Sequence, residues 1–250
     1  MAVVLLRLAA PLQSWGGESR YETRLTHPEP TKSAVIGLLA SALGRSRDSD
    51  ISDLASLRFG VRCDQVGPVL SDFHTASIWS DGKKKTTTVT RRSYLQDSVF
   101  VVGLESDNKV LLQTIVDALS VPNHALYLGR RSCLLSFPWF LGIQDCTLED
   151  ALLTLPWQAS DWFQKKTFRK CDFVDLKISY DDAMSKDAYV VNDLPVSFSP
   201  YKRSWRKRGV GTKFVTVSRD GNLAERAVQL LTDNSDELPE VDFFANFFDE

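Results

Sequence analysis

The chain has 250 residues, of which 43% are hydrophobic and 25% are charged, and its formal net charge is −2. This length and apolar content are typical of a folded protein with one large domain or two small ones. The chain contains no run of eighteen apolar residues, and its first fifteen residues lack the basic head and long apolar segment of a secretion signal. We therefore expect a cytoplasmic protein that does not bind a membrane.

The placement of cysteine and histidine argues against a metal site. The four cysteines are scattered without a CxxC pair, and His27, His74 and His124 lie far apart in the sequence. This spacing fits reduced, mostly buried thiols. We expect neither a metal ion nor another cofactor.

Charge is distributed unevenly along the chain. Residues 233–250 contain seven acidic residues and no lysine or arginine, so the rest of the chain is net basic. Two stretches without acidic residues, 82–96 and 194–219, contain five and seven basic residues, and the second also contains Tyr201 and Trp205. Basic and aromatic side chains together suit single-stranded nucleic acid. A solvated, charged hairpin is the competing interpretation of either stretch.

The N-terminal part predicts a strand, a polar loop and a helix. The apolar, β-branched run from Val3 to Ala9 predicts a buried strand. The helix has Thr31 or Ser33 as its N-cap, an apolar stripe with helical spacing, and Gly44 just after its last turn.

Three interpretations compete for Thr31-Lys32-Ser33. A nucleotide P-loop is disfavoured because it requires glycine at the positions of Thr31 and Thr26. An ordinary capped helix with an exposed lysine is the second interpretation. The third is phosphate binding, since free N–H groups, the positive end of the helix dipole, two hydroxyls and Lys32 meet here. Residue chemistry alone leaves the last two open.

The following elements predict an α+β fold, with an RRM-like or ferredoxin-like βαββαβ unit and an inserted β-hairpin. They are a helix at 49–57, strands at 58–63 and 69–74, a hairpin at 76–96, a strand at 98–105, a helix at 108–119 and a strand near 125–128. Ser80-Asp81-Gly82 is the turn signal of the hairpin. Such a fold binds RNA in many proteins but also has other functions.

The C-terminal part predicts a smaller, strand-rich lobe. Its elements are a helix at 148–155 and strands at 173–179, 189–191, 195–198 and 213–218. We therefore divide the chain into an RRM-like domain at 1–145, this lobe at 146–232, and an acidic, Phe-rich tail at 233–250. The tail is either a disordered arm or a docking segment, and the sequence leaves both open.

Four segments occur in a characteristic order. They are LRLAAPLQSWG, PTKSAVIGLLASALG, LSDFHT followed by a basic run and RRSYLQDSVFVVGL, and LYLGRRSC. Together they resemble the CasD family, a group of RRM-like RAMP proteins in type I-E CRISPR surveillance complexes (Cascade). The resemblance covers about residues 3–143, and LPVSFSPYKRSWRKRGV extends it more loosely. Lys83 to Lys85 and the tail depart from the family and inherit no role from it.

The resemblance implies a noncatalytic RNA-binding subunit that supports guided recognition of DNA in antiviral defence. Such a subunit grips the 5′ handle of the guide RNA (crRNA) and caps one end of the complex. The implied partners are the crRNA, the backbone subunit CasC, the large subunit CasA and, through the complex, target DNA. The hairpin at 76–96 is implied to be a thumb that lies against the first segment of the guide.

The resemblance also implies four groups of RNA-binding residues. They are Gln13, Trp15, Thr31, Lys32 and Ser33 along the path of the handle; Arg91, Arg92 and Tyr94 in the thumb; Gly129, Arg130, Arg131 and Ser132 in a glycine-containing turn; and Arg203, Trp205 and Arg206 in the smaller lobe. Arginine can pair with phosphate in a forked geometry or stack on a base. Ion pairs with the acidic residues at 145–150 are the alternative explanation of Arg130 and Arg131.

An endoribonuclease is the main alternative function. Related handle-binding subunits of type I-C systems cut precursor RNA, and metal-independent cleavage needs a general base and a general acid. The chain offers His27, His74, His124 and Tyr127, of which His74 and His124 are the better candidates. Because type I-E complexes have a separate processing subunit, we expect no catalytic residue here. A structural scaffold with incidental charge is a third possibility.

Overall fold

The computed structural model describes residues 1–16, 22–81, 83–182 and 188–219, together with the backbone of 223–226. The predicted tail at 233–250 lies outside the described residues. The helices are α1 (Lys32–Ala42), α2 (Ser52–Ala55), α3 (Lys109–Ser120), α4 (Leu148–Thr154) and α5 (Asp161–Thr167). The strands are β1 (Ala2–Ala9), β2 (Leu12–Gln13), β3 (Thr23–Arg24), β4 (Arg58–Gln65), β5 (Val69–Ser80), β6 (Lys83–Gln96), β7 (Val99–Ser106), β8 (Phe140–Gln144), β9 (Phe173–Asp181), β10 (Tyr189–Ser197), β11 (Ser204–Ser218) and β12 (Leu223–Arg226). Among the described residues, no helix is both long and apolar enough to cross a lipid bilayer.

A large antiparallel sheet organises the chain. Its strand order is β10-β11-β9-β4-β7-β1-β8, and β12 also pairs with β11. β1 is buried on both faces: Val4 and Leu6 pack in the core cluster that includes α1 and α3, whereas Val3 and Leu5 pack in the cluster that includes α4. This burial explains why β1 is a continuous apolar run rather than an alternating one.

Helix α4 lies directly on the sheet at two facing glycines. Gly60 of β4 and Gly103 of β7 are paired across the strands. A Cβ at Gly103 would lie 2.5 Å from a methyl carbon of Leu148, and one at Gly60 would lie 2.8 Å from a methyl carbon of Leu152. A larger residue at either position would force the Leu148 or Leu152 side chain to shift.

The first predicted elements are confirmed. β1 and α1 form where expected, the Thr31 hydroxyl oxygen caps α1, and Gly44 follows the helix with a positive φ of 71°. The predicted strand near 125–128 is wrong. This segment is held in a turn by the Leu128 N–H bond to the Cys133 carbonyl, at 2.7 Å, and β8 is the strand beside β1.

The strands predicted for the smaller lobe continue the large sheet. β9 pairs with β4 through Gly60 and Tyr180, Val61 and Ser179, and Arg62 and Ile178. The hydrogen-bonded sheet therefore crosses the expected boundary at residue 145. The division of the chain into domains stays a prediction.

A second sheet contains the predicted hairpin. β5 and β6 pair from Val69 with Leu95 to Ser80 with Lys83, and Asp81 in the turn has a positive φ of 52°. We call this pair of strands the thumb hairpin. Near its base, β2 and β3 pair with the other edge of β6, which fixes the hairpin to the N-terminal loop.

Candidate nucleic-acid interface

The register of the thumb hairpin sorts its side chains onto two faces. Successive residues of a strand point to opposite sides, and directly paired residues point to the same side. Arg92 and Tyr94 therefore share one face, with Asp72 opposite Arg92, whereas Arg91 lies opposite Phe73 on the other face. The two arginines of RRSYL consequently cannot bind the same phosphate.

Arg130 reaches the Arg92 face from the turn at 127–133. Its guanidinium lies over the ring of Tyr94, 4.3 Å from the centroid, and its Nη2 donates to the carbonyl oxygen of Arg24 at 3.0 Å. Arg24 is the strand partner of Arg92 in the β3–β6 pair. The Arg130 guanidinium therefore lies on the face of β6 that carries Arg92 and Tyr94, and we call these three residues the arginine cluster.

Two donors of the arginine cluster are buried without an acceptor. Nε of Arg92 and Nη1 of Arg130 find no hydrogen-bond partner in the part of the chain that the structure describes. An unsatisfied buried donor costs about 1–3 kcal/mol, and more when it is charged. Such groups are rare in native proteins and call for an explanation. An anionic ligand would supply the missing acceptors.

The turn that carries Arg130 has a defined backbone. Gly129 has a φ of 87°, and a Cβ there would lie 1.6 Å from the Ser14 carbonyl oxygen, so only glycine fits. The Cys133 N–H donates to the Arg130 carbonyl at 2.8 Å. Arg131 and Ser132 of the same turn are exposed.

The ion pairs that were the alternative explanation of Arg130 and Arg131, with residues 145–150, are not found among the described residues. Asp145 instead pairs with Lys109 at 2.6 Å, and Glu149 pairs with Arg58. The acidic residues of this region therefore have other partners, and the arginine cluster is left without their charge.

Gln13 and Trp15 are interior residues rather than surface ones. Both are fully buried. The Gln13 amide donates to the Ser98 carbonyl at 2.5 Å, and the Trp15 indole N–H donates to the Gln13 side-chain oxygen at 3.2 Å. Trp15 also packs edge-on against Phe100. In this conformation their role is to hold the loop after β1, and Trp15 offers no free stacking face.

The N-terminus of α1 binds a carboxylate of the chain itself. The Lys32 backbone N–H donates to Asp193 Oδ2 at 2.7 Å, and the Lys32 ammonium pairs with Asp181 Oδ2 at 2.8 Å. Lys32 is only 4% exposed, and the Thr31 hydroxyl oxygen accepts from the Ala34 N–H. Both expectations for this lysine need correction, because it is neither solvent-exposed nor open to an external phosphate in this conformation. Ser33 beside it is half-buried.

Arg208 completes this ion cluster. Its Nε donates to Asp193 Oδ1 at 2.6 Å and its Nη1 donates to Asp181 Oδ1 at 2.6 Å. Burial lowers the pKa of Arg208, but the hydrogen bonds and charges of the two carboxylates outweigh burial, so the pKa lies above its ordinary value. We call Lys32, Asp181, Asp193 and Arg208 the Lys32 ion cluster; its two cations and two anions balance.

Comparison with known proteins assigns the family. The family model described as CRISPR-associated protein (Cas_Cas5) matches residues 3–211. The chain belongs to the Cas5 family of CRISPR-associated proteins. It is similar to the CRISPR system Cascade subunit CasD of Escherichia coli strain K12, with 37% identity over 157 residues that cover 56% of this chain and 70% of that protein. The expected resemblance to CasD is confirmed.

Two solved structures agree with the Cas5 assignment. A chain of a CRISPR RNA-guided surveillance complex is 30% identical, has a TM-score of 0.72, and is matched over 88% of this chain and 92% of that one. A crystal structure of a Cas protein is 35% identical, has a TM-score of 0.64, and is matched over 85% and 94%. The Cas5 fold is thus a mixed α+β fold with a large antiparallel sheet and few helices.

Sequence reasoning missed two aromatic residues of this Cas5 thumb hairpin. Phe73 is 60% exposed and Trp79 is 64% exposed, and both point to the same face as Arg91. Lys84 lies opposite Trp79. The sequence of β5 could have revealed this, because Phe73 and Trp79 are separated by an even number of positions and side chains of a strand alternate between its two faces.

The third basic set of this Cas5 chain lies elsewhere. Arg203, Trp205 and Arg206 are at the end of the large sheet where β10 is joined to β11, whereas the thumb hairpin belongs to the other sheet. The Arg203 guanidinium lies 5.1 Å from the centre of the Trp205 ring. These residues are exposed and separate in the sheet order from the arginine cluster.

One histidine of this Cas5 chain has a carboxylate partner. His74 Nε2 is hydrogen-bonded to Asp72 on the thumb hairpin. His27 and His124 are exposed, and Tyr127 makes a bridge with Leu134. No group of three or more potential metal ligands occurs among the described residues.

Proposed function

We propose that this chain is the noncatalytic subunit of a type I-E Cascade complex that grips the 5′ handle of the crRNA and caps one end of the complex. The observation that carries the proposal is the arginine cluster, where two buried guanidinium donors of a Cas5 protein have no acceptor within the described chain. Phosphate is the natural partner of arginine donors in RNA recognition. Through the complex, the subunit would support guided recognition of target DNA.

The two faces of the thumb hairpin support separate contacts with RNA. On one face, the arginine cluster can receive backbone phosphate. On the other, Phe73 and Trp79 are exposed beside Arg91 and Lys84. Aromatic side chains interleaved with basic ones are suited to stack on bases while charges meet phosphates. We infer that the guide passes along both faces.

The strand order supports a finer statement of the fold. β8, β1, β7 and β4 are neighbours in this order and pair antiparallel, with α1 after β1 and α3 after β7. We infer that they are the βαββαβ unit of an RRM-like fold, with the thumb hairpin inserted between β4 and β7. By this inference β8 takes the place that the sequence assigned to 125–128.

The remaining expected residues divide into exposed and buried ones. The exposed residues stay proposed contacts with RNA or with a neighbouring subunit; they are Arg131, Ser132, Arg203, Trp205 and Arg206. Gln13, Trp15, Thr31 and Lys32 are buried and act by holding the loop and helix behind the interface. CasC and CasA are the proposed neighbours.

Binding to a handle RNA tests the proposal. The full chain is titrated with an RNA oligonucleotide of the 5′ handle sequence at several salt concentrations. Contact with about six phosphates would make the logarithm of affinity fall with the logarithm of salt at a slope near −4. Arg92→Gln with Arg130→Gln should weaken binding about tenfold or more, since charge-assisted hydrogen bonds are lost.

The matched control is Arg169→Gln with Lys170→Gln. It removes two charges from exposed sites outside the interface, and its affinity should stay within about twofold of the original chain. Equal loss in the control and the double variant would mean that only net charge matters. No RNA binding by the folded chain, alone or in the assembled complex, would contradict the proposal.

RNA cleavage is the second candidate function, and the pairing of His74 with Asp72 near Arg92 is the observation in its favour. A carboxylate can orient a histidine as a general base. Incubation with repeat RNA in chelator should leave the RNA intact. Specific cutting that is lost in His74→Ala would make the subunit a nuclease.

A further inference from the structure

We propose that the arginine cluster is a subsite for a single phosphodiester of the bound RNA, held jointly by Nε of Arg92 and Nη1 of Arg130. This inference rests on the proposed RNA-binding function and adds which atoms of this chain bind the RNA and how many phosphates they take. The two donors belong to different parts of the chain, one to β6 and one to the turn at 127–133.

Three contacts place Arg92 and Arg130 on the same face of β6. Arg92 and Tyr94 are on the same face of β6, and the Arg130 guanidinium lies over Tyr94. The same guanidinium is bonded to the carbonyl of Arg24, which is the strand partner of Arg92. Two positively charged side chains thus share one face of β6, and an anion bound between them would reduce their mutual repulsion.

The geometry favours a phosphate over a base. The face of Tyr94 toward the cluster is covered by Arg130, and the residue is only 4% exposed, so a base has no room to stack there. Tyr94 is therefore a positioning residue that fixes the plane of the Arg130 guanidinium. With Nη2 bonded to the Arg24 carbonyl, Nη1 remains to donate to a ligand oxygen.

The chain's own carboxylate nearest in the register does not fill this place. Asp72 lies directly opposite Arg92 across the thumb hairpin, but its carboxylate is bonded to His74. The backbone of Gly129 is packed against the Ser14 carbonyl oxygen. This contact restrains the turn and limits movement of Arg130 away from the cluster. The subsite is thereby preorganised, which lowers the entropic loss on binding.

A scan of neutral linkages tests the inference. The probe is a set of handle RNA oligonucleotides, each with one methylphosphonate linkage beside a 2′-O-methyl group, compared with oligonucleotides that carry the 2′-O-methyl group alone. For the original chain, the scan should reveal one linkage at which the neutral methylphosphonate weakens binding about tenfold. In Arg92→Gln and in Arg130→Gln, the same methylphosphonate should leave the affinity of that variant unchanged.

The salt dependence gives the number of phosphates. Each phosphate contact on single-stranded nucleic acid contributes about 0.7 to the slope. Arg92→Gln, Arg130→Gln and the double variant should each make this negative slope shallower by the same amount, about 0.7, because both arginines bind one phosphate. A decrease in the double variant twice that of either single variant would mean two separate phosphates and overturn the inference.

Two controls separate the subsite from other charge effects. Arg91→Gln, on the other face, should leave that linkage sensitive. Asp72→Asn should behave like the original chain; if it instead reproduced the loss of coupling, an internal carboxylate would be the partner and the inference would be wrong. RNA binding with no linkage coupled to the two arginines would overturn this inference and leave the proposed function standing. Absence of RNA binding altogether would overturn both.

Discussion

The arginine cluster and the Lys32 ion cluster both bring two cationic side chains together in partly or fully buried positions, but they differ in their partners. In the Lys32 ion cluster, each cation contacts a carboxylate at 2.6–2.8 Å, and these carboxylates come from β9 and β10. In the arginine cluster, guanidinium donors are buried without an acceptor in the described chain. The sequence presented Lys32 of the first cluster and Arg92 and Arg130 of the second as RNA-binding candidates.

This difference distinguishes buried cationic side chains that stabilise the fold from those that are available to bind a ligand. A buried cation whose hydrogen bonds are all made inside the protein contributes to the fold, and removing one member leaves its partners unpaired. A buried cation with an unmade hydrogen bond destabilises the unbound protein and gains from a ligand. The Lys32 ion cluster thus joins α1, β9, β10 and β11, whereas the arginine cluster is suited to bind RNA.

The largest effect is expected on stability from Arg208→Ala. It would leave the carboxylates of Asp181 and Asp193 without this partner, and breaking a buried pair costs about 3–5 kcal/mol of unfolding free energy. Chemical denaturation measures the change. The neighbouring exposed Arg206→Ala is the control and should change stability by less than about 0.5 kcal/mol. Equal effects in the two variants would show that the ion cluster does not support the fold.

A smaller effect is expected on RNA affinity from Trp79→Ala. Stacking of a base on an aromatic side chain contributes about 1–3 kcal/mol, so binding should weaken by about fivefold to more than a hundredfold. Because Trp79 is 64% exposed, its loss should barely alter stability. Fluorescence titration of the handle RNA gives the affinity, with Trp162→Ala, an exposed tryptophan of α5 outside the hairpin, as control. An unchanged affinity in Trp79→Ala would exclude this face from the interface.

The arginine cluster should respond to substitution oppositely to the Lys32 ion cluster. Arg92→Met removes a buried, unpaired donor and retains much of the side-chain volume. We expect the unfolding free energy of the unbound chain to stay unchanged or rise by up to about 1 kcal/mol, as measured by urea denaturation. A loss of 2 kcal/mol or more would mean that Arg92 is satisfied inside the chain, and the contrast between the clusters would disappear.

The smallest effect concerns thiol reactivity. Burial and then the charge of Glu29 hold the pKa of Cys63 well above its ordinary value, and burial raises the pKa of Cys133 in the turn beside Arg130. A raised pKa lowers the thiolate fraction at a given pH, so both should react slowly with iodoacetamide at pH 8. Cys171 is exposed and should react first. Mass spectrometry measures the rates; equally fast reaction of Cys133 would contradict a preformed turn.

Local signals in the sequence predicted the elements that depend on near neighbours. The Thr31 cap, Gly44 after α1, the thumb turn at Asp81 and the start of α3 near Asn108 all depend on contacts within a few residues. Helix α5 was missed because it is short and, by its exposure pattern, has no fully buried residue that would give it a clear apolar face.

The properties of Lys32 and Arg130 depend on distant parts of the chain. Lys32 is neutralised by Asp181, which is 149 residues away, and Arg130 is oriented by Arg24, which is 106 residues away. The sequence also treated Arg91 and Arg92 as one pair, although strand alternation points them to opposite faces. Residue types therefore indicated a nucleic-acid-binding protein, but only the fold distinguishes which cationic side chains are available to bind RNA.

RNA affinity of the folded fraction of Lys32→Met and Arg130→Gln tests the central claim most directly. Filter binding with the handle RNA, corrected by the denaturation curve of each variant, gives the two affinities under one set of conditions. We predict that Arg130→Gln loses about tenfold in affinity with its stability intact, whereas Lys32→Met loses stability and keeps the affinity of its folded fraction. Loss of RNA affinity in Lys32→Met with no loss in Arg130→Gln would contradict the account.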